Sequence, residues 1–229
     1  MTTYPTELDE KTIVDAIKNA EKKTSAEFFA VFTERSDDYR FIGYAFLAFW
    51  IFIASLLLAF WINWHGSQLV NGDWGTNTQV KLASTYLSLS LWTSCQLLAF
   101  VAGVITLRLS PRLCVMLAPR RITHERAHSN AVKQFLAHGI HQTKGRTGVL
   151  IFISMDERFA EILVDSAIEK QIGREFFLGK IRELTADCHK GDISYGYVKA
   201  INSISKRLSV DFPPGKEIVN ELEDRLVVL

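Results

Sequence analysis

The sequence predicts an α/β sandwich, with helices on both faces of a sheet, interrupted by a transmembrane helical hairpin. Two short apolar runs, "EFFAVFTE" and "TGVLIFIS", are rich in aromatic and β-branched residues and read as strands buried on both sides. Amphipathic helical repeats flank them. Two long uncharged stretches lie between the strands, each exceeding the roughly 20 apolar residues needed to cross a bilayer core.

The elements follow in order. Thr6 with Asp9 resembles a capping box, and Ile13, Ala16, Ile17 and Ala20 recur at helical spacing, which predicts an amphipathic helix over 7–23. "EFFAVFTE" is the first strand. The uncharged segments Phe41 to Asn63 and Leu82 to Leu107 are the two spans. Beyond them, Pro119 is placed to open a helix and Gly139 to close it. "TGVLIFIS", Thr147 to Ser154, is the second strand. "FAEILVD" alternates and suits a strand nearer the edge. Helices through "REFFLGKIRELTADCHK" and "SYGYVKAINSISKRLSV" finish the domain, the last stopping near Pro213. The organisation is therefore 1–40 (first helix and strand), 41–107 (hairpin), 108–213 (remainder of the domain) and 214–229 (tail).

Composition excludes several classes. Among 229 residues, 26 Lys and Arg stand against 25 Asp and Glu, without the basic stripe of a nucleic-acid binder. Cys95, Cys114 and Cys188 have no spacing that suggests a disulfide framework or a four-cysteine metal site. The polar, acidic start argues against a cleaved signal peptide. Arg35 and Arg40 precede the first span and Arg108, Arg112, Arg120 and Arg121 follow the second, whereas the intervening loop holds only Lys81. Both termini are expected in the cytoplasm, with the chain in the inner membrane. The second span is rich in small and hydroxyl residues, which suits packing on the first span or on another copy. Neither span carries the ionisable residue that transport normally needs.

"HERAH", 124–128, has the form H-E-x-x-H. On a helix, His124 and His128 share a face and Glu125 can activate a zinc-bound water. Glu183 or Asp187 is a conceivable third ligand. Arg126, however, adds positive charge where a dication would bind, and no clear partners orient the imidazoles. The alternative is a scaffold helix whose histidines cap the core. His138 and His141 flank the helix end, where imidazoles meet terminal carbonyls. Asp156, Glu157 and Arg158 form a turn, expected to be charged and solvated. In the tail, Ile218, Leu222, Leu226 and Leu229 recur at helical spacing. They predict an apolar stripe that docks on its own domain or binds a partner.

The segments "IVDAIKNAEKKTSAEFFAVF", "ERAHSNAVKQFLAHGIHQTKGRTGVLIFISMDERFAEILVDSAI" and "GYVKAINSISKRLSVDFP" together resemble the TPM domain family, in a bacterial branch carrying a two-span insertion. The resemblance implies an α/β/α sandwich around a small mixed sheet. For activity it implies less: some members are acid phosphatases, some bind divalent metal, and others assist assembly or repair of membrane complexes. The turn after the third strand, Asp165 to Ile168, lacks the glycine many relatives have there. Asp165 is the one acid the resemblance carries over as a metal ligand. The expected function is thus a binding or membrane-complex assembly module without catalysis and without a required cofactor. A metal-dependent phosphatase is the alternative, and a membrane zinc protease using HERAH the third. Expected partners are the membrane, an unidentified membrane or cytoplasmic protein, and a second copy through the spans.

Overall fold

A computed structural model describes residues 6–70, 78–143, 145–214 and 225–229. The chain divides into two compact units, 1–37 with 120–229, and 38–119.

The first unit is built on a four-stranded mixed sheet of order β3-β2-β1-β4, formed by β1 (Glu27–Thr33), β2 (Gly148–Ser154), β3 (Phe159–Val164) and β4 (Leu226–Val228). β1 pairs parallel with β2 and β4, and β2 pairs antiparallel with β3. Every residue of β2 is buried, because helices cover both faces, as the continuous apolar run requires. Alternation along the strands sorts the core. Val149, Ile151 and Ile153 face α1 (Glu7–Glu21), α7 (Arg174–His189) and α8 (Ile193–Asp211). Leu150 and Phe152 face α5 (Arg120–Ala137) and the 3-10 turn Ile140–Gln142. Gly148 opens β2 where a Cβ would lie 2.4 Å from the Ile140 carbonyl oxygen, so no larger residue fits that approach.

The capping box is present: Thr6 accepts from the Asp9 N–H and Asp9 accepts from the Thr6 N–H. Gly139, left-handed at φ 67°, follows α5, as a closing glycine should.

The tail departs from expectation. Leu226 to Val228 form strand β4, not a helix, so the helical stripe through Ile218, Leu222, Leu226 and Leu229 is corrected at its end. Leu226 is buried while Leu229 is half exposed, and Leu229 donates its N–H to the Phe32 carbonyl. β1 offers an open parallel edge, and a short β-branched segment satisfies it. Ile218 and Leu222 lie outside the described residues.

The second unit contains α2 (Arg40–Val70), α3 (Thr78–Leu109) and α4 (Pro111–Leu117). The stretches Arg40–Trp61 and Leu89–Leu109 are long and apolar enough to cross a membrane. A Cβ on Gly103 would come within 2.7 Å of Leu47 Cδ1, so the small residue admits close packing. Gln96 Nε2 donates to Ser55 Oγ at 2.6 Å and to the Ile51 carbonyl at 3.3 Å, pairing polar groups between two apolar helices.

Candidate functional site

The HERAH residues lie on α5 beside the edge strand β3. Thr123, Ala127 and Ala131 form the buried stripe of α5, and the two histidines flank it. His124 sets its ring 5.4 Å from that of Phe159. His128 Nδ1 lies 2.9 Å from both carboxylate oxygens of Glu161. Glu125 pairs outward with Arg121 at 3.1 Å, and Arg126 pairs with Asp37. Glu183 and Asp187 sit on α7, across the sheet from α5. They therefore cannot join these histidines. Among the described residues no group of three His, Cys, Asp or Glu side chains is arranged to hold a metal ion.

Asp165 is not in a loose turn. It is the N-cap of α6 (Ser166–Ile172) and accepts from the Ser166 N–H. Its Oδ2 is buried and accepts no hydrogen bond among the described residues. Its backbone donates to the Gly148 carbonyl, at the amino end of β2.

The carboxyl end of β2, about 20 Å away by strand rise, carries the richer constellation. Here the solvated turn expected at 156–158 is corrected. Asp156 is nearly buried and pairs with Arg35 at 3.3 Å. Glu157 is buried and accepts from the Ser36 N–H at 2.8 Å and from the Ser154 hydroxyl. The reason is topological. Parallel β1 and β2 end side by side, so the backbone leaving β1 supplies partners to the turn leaving β2. Of the three, Arg158 alone is exposed, with a left-handed φ of 51° that costs a residue bearing a Cβ about 1 kcal/mol or more.

Arg158 is one of the residues lining a cleft of about 320 Å³. Ile153, Met155, Phe159, Ala160 and Ile193 make its apolar lining, and Thr185, Cys188 and His189 bring polar atoms from the end of α7. The cleft lies where β2 ends and the antiparallel β3 begins. His189 Nδ1 is 2.7 Å from the Thr185 carbonyl. A carbonyl only accepts, so Nδ1 carries the proton and Nε2 is left to accept in the neutral ring. Burial, reinforced by the Asp187 carboxylate, pushes the Cys188 thiol up to about 11. It is protonated at neutral pH and no nucleophile, although Asp187-Cys188-His189 reads superficially like a catalytic trio. Asp187 is occupied elsewhere: its hydrogen bond from Lys199, 2.8 Å long, holds its carboxyl below the ordinary range, and Lys190 adds to this.

Sequence reasoning missed this cleft, because its residues come from a turn and two distant helix ends. The one signal available was an arginine at the closing position of a short hairpin turn, where glycine is usual.

Residues 110–207 match the family model described as the TPM domain. The fold is similar to that of BA42, a protein from the psychrophilic bacterium Bizionia argentinensis whose structure was solved by NMR. Identity is 16%, covering 100% of this chain and 98% of that one, with a TM-score of 0.57. At that identity the likeness speaks to fold alone. No curated protein matches the chain.

Proposed function

We propose that this chain, which carries a TPM domain over residues 110–207, is a two-span inner-membrane protein whose cytoplasmic domain is a binding module for assembly or repair of membrane complexes. The cleft at the carboxyl end of β2 is its recognition site, and the ligand group it takes is an anion on an apolar body.

The observation that carries the reading is Arg158. Its side chain has no partner among the described residues, and its backbone is held in a conformation that glycine would adopt at less cost. Strained residues at a cleft point to use of their side chains. An exposed arginine at the edge of an apolar lining brings a fork of donors for a carboxylate or phosphate. The lining favours binding over catalysis: the thiol is held protonated, and the nearby acids are spent on Arg35, Ser36, Ser154 and Lys199.

Membrane residence is supported by Arg40–Trp61 and Leu89–Leu109, both long and apolar enough to span. The cytoplasmic placement of both termini rests on arginines clustered outside the hairpin loop.

Affinity capture from gently solubilised membranes, with wild type and Arg158→Gly side by side, tests the recognition site. A partner retained by wild type and lost by the variant is expected. Equal capture by both would remove the cleft from the proposal. Reporter fusions at the C-terminus and external labelling of Asn71→Cys test the orientation, and a C-terminus reachable from outside intact cells would reverse it.

A further inference from the structure

We propose that α4 is an interfacial helix, lying in the headgroup region of the bilayer and taking lipid as its partner. The inference rests on the spanning reading of α2 and α3 and adds a second, monotopic contact to it.

The helix has two apolar faces. Cys114 and Val115, with Ala118 beyond them, are buried against Tyr39 and Leu107. This packing is tight: a Cβ on Gly43 would meet the Cys114 sulfur at 3.0 Å. Leu113, Met116 and Leu117, at i, i+3 and i+4, make the opposite face. They are 40%, 85% and 36% exposed, and Leu109 just before them is 77% exposed. A helix apolar on both faces has one face too many for water. Protein covers the first; the second has no cover among the described residues.

Lipid is the occupant that position selects. Leu89–Leu109 is the second candidate span, and α4 begins two residues after its end, so the uncovered face continues an apolar surface already assigned to the bilayer. Ser110 and Pro111 break the helix there, which turns the chain at the depth where the hydrocarbon ends. Arg108 and Arg112 bracket the break, and guanidinium groups at that depth meet headgroup phosphates. Leucine and methionine turned outward, with arginine at the helix start, suit a short helix held at the interface by the end of a span. The exposed side chains then insert among the acyl chains while the buried face holds the base of α2.

The test uses the full chain reconstituted in vesicles of phosphatidylcholine and phosphatidylglycerol. Met116→Cys and, separately, Leu113→Cys are labelled with an environment-sensitive fluorophore, in a background of Cys95→Ser, Cys114→Ala and Cys188→Ala. Val210→Cys, on the exposed face of α8, serves as the water-facing control. Both α4 labels are expected to shift to the blue, to lose most emission to a shallow lipid-borne nitroxide, and to resist aqueous iodide; the Val210 label is expected to do the reverse. Vesicles that carry the chain after flotation while both α4 labels are quenched by iodide overturn this proposal and leave the spans standing. Labels protected from both quenchers overturn it too, because protein, such as a second copy, then covers the face. A chain that fails to float with vesicles overturns the spanning reading itself, and this inference with it.

Discussion

His128 presents Nδ1 at 2.9 Å from both carboxylate oxygens of Glu161, tying α5 to the edge strand β3. This corrects the expectation that no partner orients the imidazoles: Glu161 orients His128, and what argues against a metal here is that no group of three His, Cys, Asp or Glu among the described residues could hold one. The His128 side chain is 55% exposed, so the coupling between the two is expected to stay within about 1 kcal/mol. A double-mutant cycle with His128→Ala and Glu161→Gln, read by thermal melting, measures it. Elemental analysis of the purified chain should find no stoichiometric zinc, and Glu125→Gln should capture partners as wild type does. One zinc per chain, lost with His128→Ala, would restore the protease reading.

Tyr197 is wholly buried on α8 and donates its hydroxyl to the Val31 carbonyl of β1 at 2.6 Å. Val31 lies within the β1–β2 pairing, so removing the donor costs its carbonyl a second hydrogen bond and leaves the sheet pairing in place. Tyr197→Phe is therefore expected to destabilise the domain by about 0.5–1.5 kcal/mol, seen as a lowered melting temperature. An unchanged melting temperature would mean that water replaces the hydroxyl and that the bond is not a strut between helix layer and sheet.

Much of this domain was legible because its signals are local. "EFFAVFT" and "GVLIFIS" announce buried strands by continuous apolarity, and "FAEILV" announces an edge strand by alternation; all three stand where expected. What escaped is non-local. Three residues at β4 are a strand only because β1 offers them an edge. Asp156 and Glu157 are buried only because β1 and β2 end together. Glu183 and Asp187 looked available to HERAH until the sheet was seen to stand between them. The cleft needed all of these: a turn residue, a helix end and a helix start, 35 positions apart from Arg158 to Ile193, with no shared motif.

The tail prediction follows from β4. Leu226 is 4% exposed and Val228 51% exposed. Leu226→Asp introduces a carboxylate where an apolar side chain was packed, and a loss of about 2–5 kcal/mol is expected from the lost burial and the desolvated charge. Val228→Asp should stay within about 0.5 kcal/mol, as exposed substitutions do. Melting both variants decides it. Equal effects would show that β4 does not dock in this register.

Acid stability should carry the mark of His138. Its ring lies 4.5 Å from that of Phe29, and burial, assisted by Arg225, holds its pKa below the ordinary 6.5. The unfolded chain then binds the proton more readily than the folded one. Its stabilising contribution is complete above 6.5 and is lost as pH falls through the depressed folded value. His138→Phe keeps an aromatic ring against Phe29 and removes the titration, so its melting temperature should fall less between about pH 7 and pH 5 than that of wild type. Asp187, whose carboxyl is held below 3.8 by Lys199, acts in a more acidic window and does not obscure the comparison. Parallel curves for the two proteins would remove His138 as a source of the slope.

Arg158 offers the sharpest separation of stability from binding. Its left-handed backbone closes the turn between β2 and β3, where its N–H donates to the Met155 carbonyl at 3.0 Å. Glycine adopts that conformation without the Cβ clash, and its greater freedom in the unfolded chain offsets part of the gain. Arg158→Gly is therefore expected to stabilise the domain, by about 0.5–1 kcal/mol. The same substitution takes the guanidinium from the cleft lining, so partner capture should fall. Arg158→Lys retains a positive charge and the backbone cost but not the planar fork, and should give intermediate capture with an unchanged melting temperature. A rise in stability joined to a loss of capture is the signature of a residue kept for its side chain at the expense of its backbone. If Arg158→Gly melts higher and captures partners as wild type does, the strain serves no recognition in this cleft. The binding surface then has to be sought elsewhere on the domain.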